Sequence, residues 1–148
     1  MKAKETKVFI DSVINYFSHV DGKQVTVGTP FLRQNESLVH FDYVGLITIT
    51  GKKQGQVYYT APKAMLKHML LSLGIQDTSA ENMKDVIGEV ANIISGNVRK
   101  EFGPRFMISV PKVIDPSNEE IYLEQYDGCY VVPIYWKNYH SAVVINLN

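Results

Sequence analysis

The chain has 148 residues, enough for one domain with a sizeable core. Lysine plus arginine and aspartate plus glutamate each number 15, so the formal net charge is +0 and no overall field draws the protein to nucleic acid or to an acidic membrane. Cys129 is the single cysteine, which excludes an intrachain disulfide and points to the cytoplasm.

The opening stretch, MKAKETKVFIDSVINYF, is broken by charges where a signal peptide would carry its apolar run, and no segment is apolar enough to span a membrane. Its periodicity predicts a first helix over Glu5–Val20, with Val8, Phe9, Val13, Ile14 and Phe17 on one face and Asp21-Gly22 as the stop. Strands are predicted at Gln24–Thr29, Leu38–Thr50 and Gln56–Thr60, the last two joined by GKKQG as a plain hairpin turn. Pro62 suits the first turn of a second helix, whose inward stripe is Met65, Leu66, Met69, Leu70 and Leu73 and which Gly74 closes.

Thr78 and Glu81 have capping-box spacing, so a third helix is expected from there to about Phe102, where Gly103-Pro104 stops it. Further strands are predicted at Phe106–Val110, Ile121–Tyr126, Cys129–Trp136 and Tyr139–Leu147. Asp127-Gly128 and Lys137-Asn138 serve as two-residue turns, so the last three strands form a meander. Tyr122, Tyr126, Tyr130, Tyr135, Trp136 and Tyr139 fall in that meander with the turn residue Lys137 as the one basic residue among them, a pattern of sheet packing rather than base stacking. Strands grouped between helices indicate an α+β domain with a largely antiparallel sheet, one unit over residues 1–148. The closing YHSAVVINLN is long, apolar and uncharged, and as an edge strand it would invite pairing with a second copy.

On a wheel of 3.6 residues per turn the third helix divides sharply. Met83, Val86, Ile87, Val90, Ile94 and Val98 form the buried stripe, while Asp85, Glu89, Asn92, Gly96 and Arg99 lie opposite, flanked by Gly88 and Ser95. Glu89 and Asn92, three apart, project as neighbours. Each glycine inside a helix costs roughly 1 kcal/mol relative to alanine, and what it offers in return is close approach of another backbone. That backbone could belong to a partner or to another element of this chain. Asn97 falls near the apolar stripe, where an amide most often makes structural hydrogen bonds. Among other chemistries, the four histidines share no metal-ligand spacing, and no nucleophile elbow, Walker A or dinucleotide fingerprint is present.

With eight glutamates and nine asparagines, chance alone predicts roughly 8 × 9/148, or about one half, of a Glu-x-x-Asn pair per chain. The whole set is more specific: D-x-x-x-E-x-x-N-x-x-x-G from Asp85 to Gly96 resembles the CheC/CheX/FliY phosphatases of bacterial chemotaxis, CheX in particular. The order of elements is CheX-like along nearly the whole chain, including YVGLITITGKKQGQVYYT and ISVPKVI. A single Glu-x-x-Asn matches one-site CheX rather than two-site CheC. Pro111 follows Asn92 by 19 residues, a few fewer than in the family pattern, which bears on the turn after the helix and not on its face.

The resemblance implies a CheC-like fold and hydrolysis of the aspartyl phosphate of a CheY-type response regulator. In that scheme Asn92 orients the attacking water and Glu89 pairs with a lysine of the regulator. Asp85, Gly88, Ser95, Gly96 and Arg99 form the ground on which the regulator settles. The chain itself binds no cofactor, the Mg²⁺ belonging to the regulator, and a homodimer is expected. The alternative is a non-catalytic module that binds a response regulator or a flagellar motor component.

Overall fold

The structure, a computed structural model, describes residues 3–22, 25–34, 37–123 and 128–147. Helix α1 (Ala3–Asp21) is followed by short strands β1 (Thr26–Val27) and β2 (Phe31–Arg33), then by the long hairpin β3 (Tyr43–Gly51) and β4 (Gly55–Ala61). Helices α2 (Lys63–Ser72) and α3 (Ala80–Phe102) come next. Two three-residue strands, β5 (Phe106–Ile108) and β6 (Lys112–Ile114), precede the closing hairpin of β7 (Cys129–Trp136) and β8 (Tyr139–Leu147). The strands form one antiparallel sheet in the order β1-β7-β8-β4-β3-β5, with β2 also on β7 and β6 also on β3. The α+β reading of the sequence is therefore met.

The three helices cover one face, burying Phe9, Val13, Phe17, Met65, Leu66, Ile87, Val90 and Ile94 against Ile47, Val57, Tyr59, Val143 and Ile145. Trp136 belongs to this core, its ring stacked on Tyr139 at 6.0 Å between centroids and edge-on to His68 at 5.1 Å. The opposite face is covered by irregular chain: Leu38, Val39, Phe41, Ile121 and Leu123 pack over Val44, Leu46, Tyr58, Val131 and Val144. Two hydrogen bonds fasten that cover, from the Tyr58 hydroxyl to the Val39 carbonyl at 2.6 Å and from the Phe41 amide to Thr60 Oγ1 at 2.8 Å. The GKKQG turn also carries an attachment, since Lys53 Nζ lies 2.7 Å from both carboxylate oxygens of Glu5 and holds the turn against α1.

Several expectations are corrected. Residues 38–42 are not strand but cover, and the run Ile121–Leu123 has the same role. Its apolar residues bury themselves without a strand partner, and Tyr122 between them is 72 % exposed. The remainder of the expected strand, and Asp127 of its turn, lie outside the described residues. The final strand is not an edge: β8 lies between β7 and β4, with Ala142–Leu147 buried, and its apolar character is that of a strand covered on both faces. The edge argument for a dimer therefore falls. Pro62 stands one position earlier than expected, as the N-cap of α2, and Asp42 Oδ2 accepts from the Lys63 amide at 2.7 Å in place of a capping side chain.

Candidate functional site

Helix α3 begins one residue later than the capping box predicts. Ser79 is the N-cap, its hydroxyl accepting from the Asn82 amide at 3.3 Å. Asp77 rather than Glu81 makes the reciprocal bond, its Oδ1 accepting from the Ser79 amide at 3.0 Å, while the Asn82 side-chain amide donates to the Asp77 carbonyl at 2.8 Å. At the other end Gly103, with φ +81°, closes the helix by donating its N–H to the Arg99 carbonyl at 3.1 Å. The 23 residues between are amphipathic, and all six residues of the predicted stripe are buried.

The underside of α3 comes unusually close to the sheet. A β-carbon at Gly45 of β3 would stand 2.6 Å from the Ile87 carbonyl oxygen and 3.2 Å from the Ala91 β-carbon. The sequence signal for this contact was a glycine isolated in a strand pattern, which marks close backbone approach. Its effect is to fix the height and roll of α3, and so the direction in which the outer face points.

On that outer face Asp85, Glu89, Asn92, Gly96 and Arg99 are all exposed. Among the described residues neither Glu89 nor Asn92 is engaged in an ion pair or a hydrogen bond. The flanks differ. Gly88 is half-buried, and a β-carbon there would meet Val113 of β6 at 3.4 Å, an ordinary contact. Ser95 departs from the expected bare ground: it is 8 % exposed and its hydroxyl donates to the Ala91 carbonyl at 3.1 Å, satisfied within the helix. Among the described residues nothing lies within 4 Å of where a Gly96 β-carbon would be. Arg99 leans toward β5, with a nitrogen 3.5 Å from the Ile108 carbonyl oxygen. Asn97 is structural, as the wheel suggested, although its partner is a side chain. Its amide donates to Ser12 Oγ at 2.8 Å and Ser12 in turn to the Val8 carbonyl at 2.7 Å, so the bond ties α3 to α1.

On the Glu89 side the face falls into a cleft of about 500 Å³ between α1, the link from α2 to α3, and α3 itself. Tyr16 of α1 lines it, 5 % exposed, and its hydroxyl has no hydrogen-bond partner among the described residues. Burial, and after it the negative charge of Glu89, push the Tyr16 phenol well above its ordinary range. No sequence signal separated Tyr16 from the core residues beside it. Among the described residues no group of three or more histidine, cysteine, aspartate or glutamate side chains is placed to hold a metal ion.

The outer face thus presents an untethered amide and carboxylate side by side, a combination that can orient a water and anchor a cation without a covalent step. The family model described as chemotaxis phosphatase CheX matches residues 43–135, a span that contains β3, β4, α2, α3 and nearly all of β7. None of the curated proteins matches. Among solved structures, the chemotaxis protein CheX of Desulfovibrio desulfuricans is 28 % identical with a TM-score of 0.76, over 96 % of this chain and 97 % of that one. A CheC-like superfamily protein from Shewanella sp. PV-4 is 21 % identical with a TM-score of 0.84, over 100 % and 99 %. A chain of the CheX-CheY-BeF3-Mg²⁺ complex from Borrelia burgdorferi is 19 % identical with a TM-score of 0.67, over 97 % of each chain. The fold is CheC-like.

Proposed function

Since the chain belongs to the chemotaxis phosphatase CheX family, we propose that it hydrolyses the aspartyl phosphate of a CheY-type response regulator at the Glu89–Asn92 face of α3. The observation that carries this reading is the bare face itself: among the described residues, Glu89 and Asn92 are exposed and untethered, and one turn further on nothing lies within 4 Å of a β-carbon at Gly96. An acyl phosphate has a good leaving group, and the regulator supplies its own Mg²⁺ as part of the substrate. What remains to be provided is a water held in line behind phosphorus. The Asn92 amide donates and accepts at once and does not titrate, so it fixes that water. The water oxygen bonds to phosphorus, the bond from phosphorus to the aspartyl oxygen breaks with its electron pair leaving on the carboxylate, and the water's proton goes to the phosphate released.

Glu89 anchors the complex by pairing with a lysine of the regulator rather than acting as a base. Exposed Asp85, Gly96 and Arg99, with half-buried Gly88, border the docked partner. The support for the partner is the similarity to a chain of the CheX–CheY complex, together with the family. A cytoplasmic location and a homodimer belong to the same reading. Among the described residues no helix is long and apolar enough to cross a membrane.

The test is dephosphorylation of a phosphorylated regulator by wild type, Asn92→Ala and Glu89→Gln. Asn92→Ala is expected to bind nearly as well as wild type while kcat falls about 100-fold or more. Glu89→Gln is expected to raise KM as well as lower kcat. A wild type that binds regulators without accelerating hydrolysis would replace the phosphatase by a non-catalytic regulator-binding module.

A further inference from the structure

The cleft beside Glu89 has walls that the Glu-x-x-Asn scheme leaves unused. Val20 of α1, Leu73 and Ile75 of the link between α2 and α3, and Ile93 of α3 line it, with Tyr16 and the Glu89 carboxylate. Leu73, expected on the inward stripe of α2, lies beyond its end and is 39 % exposed, and Ile75 is 40 % exposed. Aliphatic side chains left in water on one short link are favourable to cover, and single exposed leucines elsewhere would carry no such meaning. No lysine or arginine is among the residues lining the cleft, and Glu89 is its one carboxylate. A basic group brought to Glu89 therefore meets neither lysine nor arginine in the lining, whose other polar members are Asn15 and His19, and the chain next to it faces the aliphatic part of the wall. Tyr16 also lines the cleft, its hydroxyl buried and without a hydrogen-bond partner among the described residues.

From these features we infer that the cleft is a second contact for the response regulator: it receives an apolar side chain carried beside the basic residue that pairs with Glu89, and so selects among regulators. The inference rests on the phosphatase reading for the partner's identity. Continuity ties the two surfaces, because Glu89 is at once a wall of the cleft and half of the pair. A partner whose phosphorylated aspartate stands over Asn92 and whose cation reaches Glu89 lies across the mouth. A volume of about 500 Å³ admits a large side chain with room for its backbone. Recognition by shape and apolar burial here would differ between regulators that share the same phosphorylation chemistry, which the Glu-x-x-Asn pair cannot distinguish.

The experiment measures Kd for regulator carrying beryllofluoride and Mg²⁺, and KM and kcat for phosphorylated regulator, with wild type, Ile75→Asp, Leu73→Gln and the conservative Ile75→Met. Both polar variants change partly exposed side chains, and thermal melts report whether each folds. Expected are rises of about tenfold or more in Kd and KM for Ile75→Asp and a smaller rise for Leu73→Gln, with kcat at saturating regulator held and Ile75→Met close to wild type. Values of Kd and KM within twofold of wild type in both folded polar variants would overturn the inference. So would a fall in kcat at unchanged KM. A wild type that binds the beryllofluoride form without turning over phosphorylated regulator overturns the phosphatase reading alone, and the Kd series still decides the cleft. A wild type that binds no regulator overturns both.

Discussion

On the underside of α3, a β-carbon at Gly45 would press to 2.6 Å from the Ile87 carbonyl, whereas on the outer face a β-carbon at Gly96 would find none of the described residues within 4 Å. Both glycines lack a side chain next to the same helix, and for opposite reasons. Gly45 lets two parts of this chain meet, so its absent side chain is already occupied by backbone. Gly96 leaves a space that nothing in the described chain enters, at a helix-propensity cost of roughly 1 kcal/mol that the isolated domain does not recover. Gly88 lies between these cases, with Val113 at 3.4 Å. The difference teaches that a missing side chain identifies a contact only once the space around it has been measured, and that of the glycines on α3 the one at position 96 is the better mark of a face kept open.

The strongest way to break this contrast is to add a methyl group on each side. Gly45→Ala is expected to cost about 1 to 3 kcal/mol, because the Ile87 carbonyl is backbone inside a packed helix and cannot step aside without moving α3. The same shift would reorient Glu89 and Asn92, so kcat of the folded fraction should fall as well. Chemical denaturation and steady-state turnover of this variant check both expectations, and wild-type stability would show that α3 can ride up without loss.

Gly96 should respond in the reverse sense. Gly96→Leu is expected to fold with a melting temperature near that of wild type while its Kd for phosphorylated regulator rises about tenfold or more, since a branched side chain holds the partner off Glu89 and Asn92. Gly96→Ala should stabilise the isolated protein by up to about 1 kcal/mol and weaken binding less. Melts set beside affinities decide the matter: a leucine variant that is destabilised, or one that binds normally, contradicts an open face kept for a partner.

The contrast also explains what could be read from the sequence. The long helix was legible because 23 residues repeat the 3.6-residue period many times over, so its stripe and its exposed carboxylate and amide emerge from the wheel directly. Ser95 was misplaced because it sits at the boundary, where a hydroxyl can return to the Ala91 carbonyl and go under cover. Strands β2 and β6 were missed, and β1 and β5 shortened, because these two- and three-residue pieces exist only through pairing with β7 and β3. Residues 121–123 look like a strand because burial in irregular cover selects the same apolar residues. The closing strand reads as an edge because lack of charge marks burial on both faces as readily as exposure to a partner. The cleft had no local signal at all, being assembled from α1, the α2–α3 link and α3, which are far apart in sequence.

Tyr16 occupies the seam between the two sides of α3, where core packing ends and the cleft begins, and its proton is the finest probe of the contrast. Its folded pKa is raised above the ordinary value of 10.0, first by burial and then by the Glu89 charge; burial also raises Tyr59 in the core behind it, with Ser141 easing the shift. The neutral phenol is thus the form the fold prefers. Below about pH 10 both folded and unfolded chains hold the proton and this contribution is fully present. As pH rises beyond 10 the unfolded chain releases protons that the folded one retains, and stability falls. Tyr16→Phe should leave stability at pH 7 unchanged or slightly higher, because the hydroxyl it removes is buried without a partner among the described residues, and should flatten the loss between pH 10 and the folded pKa. Lysine titration is common to both proteins and cancels in the comparison. Denaturant midpoints of wild type and Tyr16→Phe from about pH 8 to 11 make the measurement. Parallel alkaline limbs would mean that water already reaches the phenol, so that the cleft runs deeper under Glu89 and the underside of α3 is not sealed on the α1 side.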